Sequence, residues 1–129
     1  AGLLKETIKK YAPTKKILGV CLGQQAIGEV FGASLINLDT VFHGVATPLK
    51  VSQEDVLFQG LPKTFEVGRY HSWIVKTPLP EDLVATSFDD NQQLMSLRHK
   101  SLPIRAVQFH PESILTLHGK KILENWINS

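Results

Sequence analysis

The sequence is poor in cysteine, in clustered charge and in long apolar runs, and each shortage excludes something. A single cysteine in 129 residues, Cys21, cannot close an internal disulfide, and alone it cannot build a thiolate zinc site. No apolar stretch approaches the ~20 residues needed to cross a bilayer. The first residues lack the charged, apolar and small-residue regions of a secretory signal. Basic residues gather only in pairs, Lys9-Lys10, Lys15-Lys16 and Lys120-Lys121, and no basic stripe interleaves with aromatics, so the footprint of a nucleic-acid binder is missing. No His/Cys/carboxylate cluster has ligand spacing. The expectation is a cytoplasmic protein with no metal or cofactor and no nucleic-acid or membrane partner.

What is present suits a folded core. With 43% hydrophobic and 20% charged residues, the chain can bury one sizeable core. No repeat, linker or low-complexity stretch divides it, so residues 1–129 read as one domain. Leu3, Leu4, Ile8 and Tyr11 recur at helical spacing, with Pro13 beyond the end. Lys16 to Val20 is a short apolar run that predicts a strand buried on both faces. Gly23 to Phe31 predicts a helix stopped by Gly32. Segments 34–38, 45–51, 64–67, 73–77 and 83–87 read as short strands joined by turns, and 105–109 as another. Leu117 to Ile127 reads as a closing helix.

Gly19-Val20-Cys21-Leu22-Gly23 stands where a strand hands over to a helix. That is the nucleophile-elbow pattern with Cys in the place of Ser. A sharp turn projects the sulfur from the sheet edge, and flanking glycines remove side chains that would clash there. The helix starting after Cys21 aims free N–H groups and its positive dipole end at the sulfur, which favours the attacking thiolate. The Leu22 N–H is then placed to donate to an oxyanion. Alone, the motif equally suits a tight turn around an inert, buried thiol.

His110-Pro111-Glu112 supplies the complementary chemistry at the end of another strand. A sulfur nucleophile needs a base, and the base needs an orienting group. Pro111 fixes its own φ and drives His110 toward an extended conformation, so the imidazole can face the sulfur while the carboxylate sets its tautomer. A strand ending in an exposed proline turn would read the same way. Of the other four histidines, His99 and His118 read as surface residues, while His43 and His71 lie in loops that could line a pocket. Neither of the latter two has a carboxylate two residues away.

Three stretches, Gly19-Val-Cys-Leu-Gly-Gln-Gln25, Arg69-Tyr-His-Ser72 and Val107-Gln-Phe-His-Pro-Glu-Ser-Ile-Leu-Thr116, together resemble the class I (triad) glutamine amidotransferases. The likeness is nearest to the small subunits, component II, of anthranilate synthase and para-aminobenzoate (aminodeoxychorismate) synthase. It implies a flavodoxin-like α/β fold: a mostly parallel sheet, helices on both faces, and a small antiparallel addition. It implies Cys21 as nucleophile, His110 as base and Glu112 as orienter. It also implies that Gln25 and the Ser72-Trp73 backbone hold glutamine, with the Leu22 N–H in the oxyanion hole. The partner implied is the larger chorismate-binding synthase subunit, component I, in tryptophan or folate synthesis.

Several positions depart from the family pattern. Gln24 stands where His is frequent, Trp73 where Leu is common, and Val45 where Lys usually follows His-Gly. The family's N-terminal strand pair and Pro-Gly-Pro-Gly loop, which supplies a second oxyanion N–H, do not precede Ala1. The expectation is an N-terminally incomplete domain, and an inefficient enzyme as written, since losing one oxyanion donor costs roughly a hundred- to a thousandfold. Competing readings are an amidotransferase serving GMP, carbamoyl phosphate or CTP synthesis, a non-catalytic relative, and a cysteine peptidase or thiol hydrolase. The last would not call for Gln25 and the Ser72 loop together.

Overall fold

The computed structural model describes residues 2–129. In chain order they form α1 (Gly2–Tyr11), β1 (Ile17–Val20), α2 (Leu22–Val30), β2 (Leu35–Asn37), β3 (Val45–Val51), a 3-10 turn (Val56–Phe58), β4 (Thr64–Arg69), β5 (Trp73–Val75), β6 (Leu83–Asp89), β7 (Leu94–His99), β8 (Ile104–Val107) and α3 (Gly119–Ile127). Six strands make one sheet in the order β1-β8-β7-β6-β3-β4, and β2 pairs with β5 separately.

Alternation along the strands sends side chains to two cores. On one face, Ile104 and Ala106 of β8 and Leu97 of β7 pack with Ile8 and Ala12 from α1 and its end, and with Ala26 and Ile27 of α2. On the other, Val107, Met95 and Leu49 pack with Ile122 of α3 and with Leu57 and Phe58 of the 3-10 turn. Helices therefore cover both faces, as expected. Each fully buried Leu, Ile or Phe in these cores contributes roughly 1.5–3 kcal/mol.

One glycine sets how closely α2 approaches β5, and another ends the helix. A Cβ on Gly28 would lie 3.0 Å from Val75 Cγ2, so α2 sits directly on β5. Gly32, at φ 97°, ends α2: its N–H bonds Glu29 O at 3.1 Å, and the Ala33 N–H bonds Gly28 O at 2.8 Å. That pair of bonds is the Schellman arrangement, which satisfies carbonyls the helix would leave open.

The α/β class holds, but the share of parallel pairing is smaller than the sequence suggested. Among the described residues only β1 and β8 run parallel, while β8·β7, β7·β6, β6·β3 and β3·β4 are all antiparallel. The connections between β6, β7 and β8 are short turns, and a short turn can only return the chain antiparallel; a parallel neighbour needs a long crossover. The antiparallel strands are therefore continuous with the sheet that carries the elbow, not a small annex to it.

Strand β7 has no counterpart among the strands expected from the sequence. Its residues Leu94-Met-Ser-Leu-Arg-His99 are nearly all buried, so no polar–apolar alternation announces it. Conversely, β1 was expected to be buried on both faces, yet only Gly19 is fully buried, because β1 pairs on one side only among the described residues. His99, expected at the surface, is buried in β7. Its Nδ1 accepts from the Ser101 N–H at 3.1 Å and the Leu102 N–H at 3.0 Å, which shapes the turn into β8.

Candidate active site

The parallel register fixes the site. Val20 pairs with Val107, and the Cys21 N–H extends that ladder to Val107 O at 2.8 Å. Cys21 therefore leaves the sheet beside Gln108, and two residues further along the second strand comes His110. Cys21 adopts φ 55°, ψ −103°, a left-handed conformation that a side chain makes costly. Its carbonyl accepts from the Gln24 and Gln25 N–H groups at 3.0 and 3.3 Å, which starts α2. The flanking glycines play unequal parts. A Cβ on Gly19 would meet Ile27 Cδ1 at 2.6 Å and the Gly23 backbone at 2.8 Å, whereas one on Gly23 would enter open space. Only the first glycine is sterically required, and what it must clear includes the second one's backbone.

Around the sulfur, Gln108 Nε2 donates at 3.5 Å and Tyr70 O lies 3.9 Å away. The thiol pKa is raised above its ordinary value, and burial is the main cause. A hydrogen bond from the Leu22 N–H and the one from Gln108 act against burial, and the Glu112 charge adds to the rise. The sequence placed a helix N-terminus at the sulfur and so favoured thiolate. The Leu22 N–H pulls in that direction, but desolvation of the charged form outweighs it.

His110 Nδ1 and Glu112 Oε2 are 2.7 Å apart, so the carboxylate takes up one ring nitrogen and leaves Nε2 free. The His110 loop is clamped to β4. The His110 N–H donates to Gly68 O at 3.0 Å, while Thr116 Oγ1 accepts from the Gly68 N–H at 2.9 Å and donates to His110 O at 2.7 Å. Gly68 permits this closeness, since a Cβ there would lie 2.9 Å from Leu115 Cβ. Tyr70 joins the two halves of the site: its carbonyl faces the sulfur, and its ring packs edge-on against the His110 imidazole at 5.1 Å. The Tyr70 hydroxyl hydrogen-bonds Ser113 Oγ at 3.1 Å.

Two of the residues set against the substrate by resemblance, Gln25 and Trp73, are in contact. Leu22 is exposed at the head of α2. Gln25 is buried, and its Nε2 donates to Trp73 O at 2.9 Å and to Gln108 Oε1 at 3.2 Å, so it braces the Trp73 backbone. Ser72 is half-buried, and the Trp73 side chain is exposed. Gln24 is fully buried, and among the described residues neither its Nε2 nor its Oε1 has a partner.

Sequence reasoning missed Gln108 and gave no role to Tyr70, Arg69 or Asp89. Gln108 and His110 share a side of an extended segment by their two-residue spacing, but only the β1·β8 register puts Gln108 against the sulfur. His43 is exposed, and His71 is buried behind the Trp73 carbonyl.

An elbow cysteine, a carboxylate-bound histidine and this α/β frame define a triad amidotransferase domain. The chain matches the family model "Glutamine amidotransferase class-I" over residues 1–129, and it belongs to that family. Among curated proteins, a Haemophilus influenzae protein provisionally named anthranilate synthase component II is 47% identical over 93% of this chain and 63% of its own length. The aminodeoxychorismate/anthranilate synthase component 2 of Bacillus subtilis is 40% identical over 100% of this chain and 66% of its own. The Escherichia coli aminodeoxychorismate synthase component 2 is 38% identical over 99% and 68%. The chain thus spans about two thirds of the length of these relatives. Among solved structures, a Thermoplasma acidophilum protein provisionally described as a GMP synthase subunit superposes with a TM-score of 0.86 at 32% identity, covering 96% of this chain and 62% of that one.

Proposed function

We propose that this chain carries the glutaminase site of a component II subunit, hydrolysing L-glutamine and supplying ammonia to a chorismate-aminating component I in anthranilate or para-aminobenzoate synthesis. Residues 1–129 act as one amidotransferase domain, working in the cytoplasm. The reading is supported by a left-handed Cys21 on the strand-to-helix turn and by a His110 whose Nδ1 is committed to Glu112 2.7 Å away.

Because burial holds Cys21 as a thiol, the sulfur is deprotonated as it attacks. His110 Nε2 takes the thiol proton while sulfur adds to the glutamine amide carbon. The Leu22 N–H receives the oxyanion, and Glu112 steadies the imidazolium. Collapse breaks the C–N bond, and the departing nitrogen takes the proton from His110, leaving a γ-glutamyl thioester and ammonia. Water, deprotonated by His110, then cleaves the thioester to glutamate and restores the thiol. Gln25 and the Ser72-Trp73 backbone line the pocket for the α-amino and α-carboxylate groups.

A diazo-ketone analogue of glutamine tests the assignment. The expected result is an adduct on Cys21 alone, suppressed by excess glutamine, slower in His110→Ala and absent in Cys21→Ala. Alkylation that glutamine does not suppress would remove the glutaminase reading. A second reading, service to a GMP synthase, draws on the Thermoplasma likeness. Glutamine-dependent activity restored to a chorismate-aminating component I, and not to a GMP-forming synthetase, decides for the first.

A further inference from the structure

Behind the site runs a hydrogen-bonded relay that the triad does not use. It begins at an ion pair withdrawn from water: Arg69 Nη1 donates to Asp89 Oδ2 at 2.7 Å, with side chains 1% and 3% exposed. Other contacts hold the guanidinium as well. Nη2 donates to Gln93 Oε1 at 3.0 Å, Nη1 reaches Thr47 Oγ1 at 3.4 Å, and the plane lies 3.7 Å from the Phe42 ring centre. The Asp89 carboxylate is held in turn, its Oδ1 accepting from the Asn91 and Gln93 N–H groups. The fourth direction, Nε, donates to His71 Nε2 at 3.1 Å.

That last bond decides the histidine's tautomer. A guanidinium has donors only, so His71 Nε2 must accept and the ring proton must sit on Nδ1. Nδ1 lies 3.1 Å from Trp73 O and donates to it. Trp73 O also accepts from Gln25 Nε2, Gln25 contacts Gln108, and Gln108 contacts the Cys21 sulfur. Burial and the neighbouring cation push the His71 pKa down to about 4, so the ring stays neutral and keeps this polarity at working pH. Both lone pairs of the Trp73 carbonyl are engaged, one from the buried ion pair's side and one from the elbow helix.

We infer that His71, oriented by the Arg69–Asp89 pair, is a positioning residue that fixes the Trp73 peptide as the glutamine-facing wall and ties it to Cys21 through Gln25 and Gln108. The inference rests on the glutaminase reading and assigns a new role within it: His71 acts by donating from Nδ1, so an N–H at that place is what the site needs.

The test compares His71→Asn, His71→Gln and His71→Phe in the full chain, reading the half-saturating concentration of the diazo-ketone glutamine analogue at Cys21. Iodoacetamide, which needs no glutamine pocket, is the parallel probe. Asn carries its amide near the Nδ1 place and Gln near the Nε2 place. The expected result is near-normal half-saturation for His71→Asn and a rise of about tenfold for His71→Gln and His71→Phe, the size of one lost buried hydrogen bond. Iodoacetamide rates should stay within about twofold throughout, as they report the elbow and not the wall. Equal half-saturation in the Asn and Gln variants, or a parallel fall in both probes, would overturn the positioning role. Because the Asn–Gln contrast carries the test, it stands even where His71→Phe fails to fold. A wild-type Cys21 that reacts with iodoacetamide but not with the analogue would instead remove the glutaminase reading on which the role depends.

Discussion

The elbow and the 69–73 segment face each other across the same sulfur but are built in opposite ways. The elbow is local. Seven consecutive residues, Gly19 to Gln25, contain the strand end, the left-handed nucleophile and the first turn of the helix. The 69–73 segment is assembled from afar: Arg69 answers to Thr47, Asp89 and Gln93, and Trp73 to Gln25. A local device carries its design in adjacent residue types, whereas a distributed one depends on partners twenty to fifty positions away. The local half holds its conformation by steric exclusion, and the distributed half by satisfied buried charge.

The largest expected effect falls on the distributed half. Asp89→Asn leaves the buried Arg69 cation uncompensated, and removing one partner of a buried pair costs about 3–5 kcal/mol. Urea unfolding should show that loss; a change under about 1 kcal/mol would mean that the guanidinium finds another counter-charge.

Next comes pH. The His71 pKa falls from its ordinary 6.5 to about 4 in the fold, so the folded state disfavours the proton. Stability from this group is complete above pH 6.5 and is lost as pH falls toward 4, because the unfolded chain binds the proton first. At roughly 1.4 kcal/mol per pH unit, the loss totals about 3 kcal/mol. Chemical denaturation from pH 7 to 4 should show this slope, with a flatter profile in His71→Asn. Identical slopes would place the acid sensitivity elsewhere.

The smallest effect sharpens the local half. Gly19→Ala should destabilise by about 1–3 kcal/mol, because its Cβ would overlap Ile27 and the Gly23 backbone. Gly23→Ala, opening into free space, should change stability by less than about 1 kcal/mol or raise it, alanine being the better helix former. Thermal melts that rank the two glycines the other way would refute the account of which one the turn requires.

Legibility follows the same division. The helices, the elbow and the His110–Glu112 pairing were readable because each lies within a few residues of sequence and is set by local sterics and spacing. Gln108 falls within the strand expected at 105–109, but only the pairing of Val20 with Val107 makes it a neighbour of Cys21. Strand β7 was illegible because a strand buried on both faces loses the alternation that marks strands. The thiolate expectation erred for a related reason: the helix N-terminus is a sequence feature, while the burial that outweighs it is not.

By itself the sequence determined the chemistry on offer: one thiol on a glycine-flanked strand-to-helix turn, one histidine with a carboxylate two residues on, and the family these motifs mark. Local backbone sterics suffice for that, since residue type and spacing dictate the turn and the pairing. The tertiary structure alone decided which groups meet the sulfur, how far burial suppresses its ionisation, and how Arg69 and Asp89 orient His71 toward the Trp73 carbonyl. Those outcomes depend on strand register and on exclusion of water, which arise only when distant segments pack together.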